Sequence, residues 1–166
     1  PKHEELAGLG LRWHFVGQLQ RNKARSVASY ADVVQSVDRT ELATALDRAA
    51  GEAGRTIDVL VQVALADPPP PHRGGVVPAD VAALADHVGG CSSLRLAGLM
   101  AVAPLGTDPA AAFEVLRAAS RSLRLVHPGA TVVSAGMSGD LEAAIAAGAT
   151  HVRVGTAVLG GRPALG

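Results

Sequence analysis

The sequence predicts an α/β fold built on a parallel sheet, and three observations carry that expectation. Short apolar runs recur along the chain, stretches with helical apolar spacing separate them, and Gly, Pro or Asp marks the junctions. Strands that alternate with helices pair in parallel, so their C-terminal ends share one face. Such a sheet is either open and doubly wound or part of a (β/α)8 barrel.

The first strand is expected at Trp13–Val16, followed by a helix over Arg21–Ser29. A second strand at Val33–Ser36 leads into a helix over Arg39–Ala53, with Leu42, Ala45, Leu46 and Ala49 on one face and Thr40 or Asp38 as its cap. The third strand, Val59–Val63, is followed by a loop from Asp67 to Pro78, where prolines without an N–H meet paired glycines. A helix over Pro78–Val88 and a strand at Leu96–Met100 come next. Asp108 before Pro109 reads as a cap followed by an N1 proline, opening a helix to Leu125. A strand at Thr131–Ser134 precedes a helix over Gly139–Ala147, with Leu141, Ala144 and Ile145 at helical spacing and Gly148 closing it. The last strand is His151–Val154. The two final strand exits, Ala135-Gly136-Met137-Ser138-Gly139 and Gly155-Thr156, are built of small and polar residues. Backbone N–H groups freed of side-chain bulk at such exits, with a helix N-terminus behind one of them, form a cradle for a phosphate dianion.

At 166 residues and 48% hydrophobic content the chain is long and apolar enough for one packed core, and a single domain is expected over residues 1–166. Lys+Arg and Asp+Glu balance at 15 each, and one Trp, one Tyr and two Phe leave little for base stacking, which argues against a nucleic-acid partner. A lone cysteine, Cys91, excludes an internal disulfide framework and fits a reducing compartment, and no long uncharged apolar run suggests a membrane span. With no signal-peptide pattern at the start, the expected location is the cytoplasm. His3, His14, His72, His87, His127 and His151 are scattered and Cys91 lacks a partner at ligand spacing, so no metal is assigned. The segment from Ser134 to Gly139 lacks the Gly-x-Ser-x-Gly elbow of serine hydrolases.

The segment GMSGDLEAAIAAGATHVRVGTAVLGGR, from Gly136 to Arg162, resembles the C-terminal signature of the pyridoxal 5′-phosphate (PLP) homeostasis protein family, the YggS/PROSC-like PLP-binding barrels. Three further segments fit that family in order: WHFVGQLQRNK from Trp13 to Lys23, Gln35-Ser36-Val37-Asp38, and Gly98-Leu99-Met100 with Pro104 close behind. The resemblance implies a (β/α)8 barrel of the alanine racemase N-terminal-domain type. A complete barrel takes about 250 residues, and only about six strand–helix units are legible here, so an N-terminally truncated barrel is expected. In that family the first strand ends in the lysine that holds PLP as an aldimine. This chain has only Lys2 and Lys23, and neither follows an apolar strand.

By the same resemblance Arg153 approaches the pyridine nitrogen of PLP. A guanidinium there only donates, leaving the ring nitrogen unprotonated and the ring a weaker electron sink, which suits a carrier better than a transaminase. The alternative for Arg153 is a surface arginine paired at a strand end. Ser138, Gly155 and Thr156 are the candidate phosphate ligands, after the last two strands, where barrels commonly bind phosphate; ordinary turn chemistry is the alternative. Met100 and Met137 would flank the cofactor ring or fill the core. His14 reaches the pocket from the first strand or is a structural histidine. Ser36 ends the second strand and is placed at the ring or a bound water. The segment from Gln18 to Lys23 lines the pocket mouth, helps to pass PLP on, or is a solvated helix start. At Ala64 the chain departs from the family, which has an asparagine there.

The function this implies is PLP binding and intracellular PLP homeostasis, as a carrier or buffer without turnover. PLP-dependent apo-enzymes are the expected recipients, and self-association through open barrel edges is expected of an incomplete barrel. One alternative is a PLP-dependent amino-acid racemase, which needs a catalytic lysine and a second acid/base, usually a tyrosine; Tyr30 is the chain's only one, and no second domain is expected. The other is a non-functional barrel fragment.

Overall fold

The structure, a computed structural model, describes residues 2–66 and 73–160. After a short helix α1 (Lys2–Glu5), strand β1 (His14–Phe15) leads through a 3-10 turn at Arg21–Lys23 into α2 (Ala24–Ala28). There follow β2 (Val33–Val37), α3 (Thr40–Glu52), β3 (Ile57–Val63), a 3-10 turn at Pro78–Asp80, α4 (Val81–Gly89), β4 (Leu94–Ala101), α5 (Pro109–Val126), β5 (Val132–Ser134), α6 (Leu141–Ala146) and α7 (Thr156–Leu159).

All five strands are parallel and lie in the order β1-β2-β3-β4-β5. This order bears out the barrel that the resemblance implies and rules out the open doubly wound sheet that strand alternation alone had allowed. A doubly wound sheet reverses direction at a switch point, whereas right-handed crossovers that always advance to the next strand place every helix on one side and curl the sheet into a barrel arc. The curl brings the two ends together: the His14 ring on β1 lies 6.3 Å from the His151 ring beyond β5. Val33, Leu60 and Met100 pack on the inner, concave side, while Val34, Val59, Val61 and Leu99 join the helix-side core with Leu42, Leu46, Leu84 and Phe113.

Phe113 on α5 is 1% exposed and the largest fully buried side chain. Its replacement by alanine is expected to cost about 3–5 kcal/mol, the usual range for emptying an aromatic site in a core. Urea unfolding followed by circular dichroism checks this, and a midpoint unchanged from the parent would contradict the packing described.

Several local expectations are met. The Asp108 carboxylate caps α5, accepting from the Ala110 N–H at 3.0 Å. Helix α6 closes on Gly148 at φ 93°, with the Ala149 N–H donating to the Ala144 carbonyl at 2.9 Å and the Gly148 N–H to Ile145. Others need correction. Neither Thr40 nor Asp38 caps α3: Arg39 occupies the cap position without a side-chain bond, and the Asp38 carboxylate is taken by the Arg39 guanidinium. The last strand, expected over His151–Val154, is reduced to a bridge between His151 and Ser134, although the Ala135 N–H still donates to the His151 carbonyl and the Arg153 N–H to the Gly136 carbonyl beyond it. Part of the loop, 67–72, lies outside the described residues. Its end is more ordered than expected, since Val76 bridges Val63 and the Gln62 amide donates to the Gly74 carbonyl at 2.7 Å.

No helix among the described residues is long and apolar enough to cross a membrane.

Candidate functional site

An open cleft of about 810 Å3 lies at the C-terminal ends of β1, β2 and β5, lined by His14, Gln35, Ser134, Met137, Ser138, Gly139, Arg153 and Gly155 among others. Its volume falls within the ~300–1,000 Å3 common for small-molecule sites. The position follows from topology, because parallel strands converge their loops on one face and leave a hollow there.

The floor is polar and continuous. Arg153 donates from Nη1 to Ser134 Oγ at 2.8 Å and from Nη2 to the Ala101 carbonyl at 2.9 Å. Ser134 donates from Oγ to Gln35 Oε1 at 2.7 Å, and Gln35 Nε2 meets His14 Nδ1 at 2.8 Å. Gln35 is 3% and Ser134 0% exposed, so both satisfy each other where water does not reach. Among the described residues no carboxylate forms an ion pair with Arg153. Burial lowers its pKa from the usual guanidinium value, and Asp140 acts in the opposite direction. A half-buried guanidinium with spare N–H donors at a cleft is a site for an anion or an unprotonated nitrogen.

The rim is made by two turns. Met137-Ser138-Gly139 precedes α6, and Gly155 precedes α7. A Cβ placed on Gly139 or Gly155 would meet no heavy atom within 4 Å, so the backbone there is open to a ligand. Gly136 matters for packing instead. A Cβ on it would lie 2.7 Å from the Ala144 methyl, so its lack of a side chain lets α6 pack close to the β5 exit. The Asp140 carboxylate accepts from the Met137 N–H at 2.6 Å. That backbone donor is spent within the turn.

Of the residues singled out from sequence, the structure gathers His14, Met137, Ser138, Arg153 and Gly155 around this cleft. Thr156 begins α7, and its side chain lies outside the description. Met100 is buried against Val33 and Leu60 and faces a neighbouring hollow of about 260 Å3 with Gln62, Ala64 and Arg73, so the two methionines do not face each other across one cavity. Ser36 does not reach the cleft. It alternates with Gln35, is buried at 1% exposure, and its Oγ finds no partner among the described residues. Gln35 is the inward residue of that pair. Arg21, Asn22 and Lys23 are exposed on the 3-10 turn, while Gln18 lines the neighbouring hollow.

The chain matches the family model of the alanine racemase N-terminal domain over residues 5–163. It is 44% identical over 159 residues to a pyridoxal phosphate homeostasis protein of Mycobacterium leprae, covering 90% of this chain and 61% of that protein. It is 40% identical to the pyridoxal phosphate homeostasis protein of Escherichia coli, covering 96% of this chain and 68% of that one. The chain thus spans about three fifths of the length of its mycobacterial relative. Among solved structures, PipY of Synechococcus elongatus superposes with a TM-score of 0.86 at 40% identity without PLP, covering 93% of this chain and 74% of that one. PipY with PLP bound gives 0.83 at 39% with the same coverage.

Proposed function

This chain belongs to the alanine racemase N-terminal-domain family, in the company of pyridoxal phosphate homeostasis proteins, and from that premise we propose that it binds PLP in the cleft between the β5 exit and Gly155. The observation that carries the reading is Arg153, a desolvated guanidinium without a carboxylate partner among the described residues, at the floor of a cleft whose rim is open backbone. The donor set suits the ligand: in this reading Ser138, Gly139 and Gly155 would take the phosphate and Arg153 the ring nitrogen, with His14 and Met137 on the walls, all of them lining the cleft.

When bound, PLP supplies an electrophilic aldehyde and an electron-withdrawing ring. Arg153, which has no proton acceptor, holds the ring nitrogen unprotonated and so limits the ring's capacity to store negative charge. Among the described residues no lysine lines the cleft; Lys23 is exposed on its turn. Tyr30, the residue a racemase reading would need, stacks on His3 at 4.4 Å and is absent from the cleft lining. The pairing of Arg153 with the ring nitrogen and the distance of Tyr30 from the cleft favour a carrier over a racemase: in this reading the protein holds PLP without turning it over, and PLP-dependent apo-enzymes are the recipients.

Titrating the chain with PLP, with inorganic phosphate as competitor, tests the reading. Saturable binding that phosphate displaces is expected, with borohydride reduction leaving Lys23 unlabelled above background. Binding that ignores phosphate, or even labelling of both lysines, would sink it.

A further inference from the structure

The polar floor of the cleft has a direction. Arg153 carries only donors, so Ser134 Oγ must accept from it, and the single serine proton goes to Gln35 Oε1 at 2.7 Å. The Gln35 amide is thereby oriented, its NH2 faces His14 Nδ1 at 2.8 Å, and that ring nitrogen must accept. Protons are therefore donated in sequence from Arg153 to Ser134, to Gln35 and to His14. The arrangement is complete only when His14 is neutral with its proton on Nε2.

A proton on Nδ1 would set two donors face to face. Gln35 can relieve this only by turning its amide over, after which Ser134 receives donors from both sides and its own proton has lost its acceptor. Gln35 and Ser134 are buried, so such a mismatch is costly and is passed on to the Arg153 guanidinium.

We propose that Gln35 is a positioning residue of the ligand site, which holds Arg153 through Ser134 most firmly while His14 Nδ1 is unprotonated, so that retention of the ligand is coupled to one proton on His14. The identity of the ligand rests on the PLP reading above; the relay itself does not.

The groups acting on His14 come from several elements. Arg12 precedes it, Asp32 lies just before β2, Asp58 comes from β3 and is itself held by Arg12 and Arg95, and His151 stands across the interior. Burial is the largest influence; with Arg12 and His151 it disfavours the protonated ring, against Asp32 and Asp58, and the pKa falls below the ordinary 6.5. The sign follows from a depressed folded-state value. Stability from neutral His14 is fully present above about pH 6.5 and is lost as pH falls through the lowered value.

The experiment compares the parent chain with Gln35→Glu, following the His14 ring protons by NMR against pH and measuring PLP affinity over the same range. A carboxylate only accepts, so it draws a proton onto Nδ1. His14 should titrate at least one pH unit higher in the variant, and the loss of PLP affinity at low pH, up to about tenfold per unit for one linked proton, should move upward with it. Comparing two chains cancels the ionisations of PLP itself. An unchanged His14 titration overturns the relay, and so does a shifted titration that the PLP profile does not follow. Should Gln35→Glu not fold, Ser134→Ala interrupts the line with a smaller change: PLP should depress the His14 titration in the parent and leave it unmoved in the variant, and equal depression in both refutes the proposal. If the parent binds no PLP at any pH, the binding proposal falls, while the ligand-free His14 titrations still decide the relay.

Discussion

Replacing Arg153 with methionine is expected to weaken PLP binding by roughly 10- to 100-fold, because a charge-assisted hydrogen bond contributes about 1.5–3 kcal/mol and each 1.36 kcal/mol is a factor of ten. Methionine keeps a long side chain, so much of the packing is preserved. It removes the donors to Ser134 Oγ and the Ala101 carbonyl and any that would reach the ligand. Arg153→Lys should recover only part of the loss, since an ammonium cannot reproduce a planar fork that serves Ser134, Ala101 and a ligand together. Spectroscopic titration of both variants measures the effect. Parent-like affinity in a folded Arg153→Met chain would remove Arg153 from the site.

Replacing Gly98 with alanine should have the largest effect on stability, about 4–5 kcal/mol or more, enough to unfold a domain of ordinary stability. A Cβ at this position would lie 1.9 Å from the Val132 carbonyl oxygen and 2.7 Å from its carbon, and the backbone sits at φ 152°. Gly98 follows the register shift where β4 pairs with β3, and it also pairs with Val132 on β5, so no side-chain rearrangement can relieve the clash. Moving β5 would also displace Ser134 and the floor of the cleft. Gly139→Ala serves as the contrast: its Cβ would meet nothing within 4 Å and φ is not positive, so stability should change by no more than about 0.5 kcal/mol. Urea unfolding of the two variants separates the cases, and equal midpoints would refute the account of β4–β5 packing.

Much of the architecture is legible along the chain because its signals are local. The proline after Asp108, the glycine after Ala147 and the helical spacing of Leu42, Ala45, Leu46 and Ala49 report helices α5, α6 and α3 within a few residues of where they begin or end. Strands β2 to β5 are each found within three residues of the expected limits, since apolar runs between helices have few other uses. The α3 cap is not legible, because two acceptors stand near the right place and the Arg39 guanidinium claims one of them. Side-chain competition of that kind leaves no trace in spacing.

The site divides the same way. The two glycine-rich exits and Arg153 are visible in sequence, since small residues after a strand and a lone cation within a strand-like apolar run stand out. The sequence points to Ser36 instead of Gln35 because either residue of VVQSV can face inward, and parity is set by how the strand is laid in the sheet rather than by its composition. Gln35 does carry a signal of its own, as a large amide in an apolar strand, which calls for a buried partner.

By itself, then, the sequence determined the order of strands and helices, the positions of the turns and the family to which the chain belongs, because each depends on residues close together along the chain. Strand alternation alone left the sheet open or curled, and the family resemblance implied the barrel that the strand order bears out; tertiary structure alone decided that Gln35 and not Ser36 faces the cleft, and that Ser134 bonds to Gln35 across 99 residues. The physical reason is the crossover geometry: only when successive right-handed turns bring β5 round toward β1 do Arg153 and His14, both marked in sequence, meet the buried pair Gln35 and Ser134 at hydrogen-bonding distance.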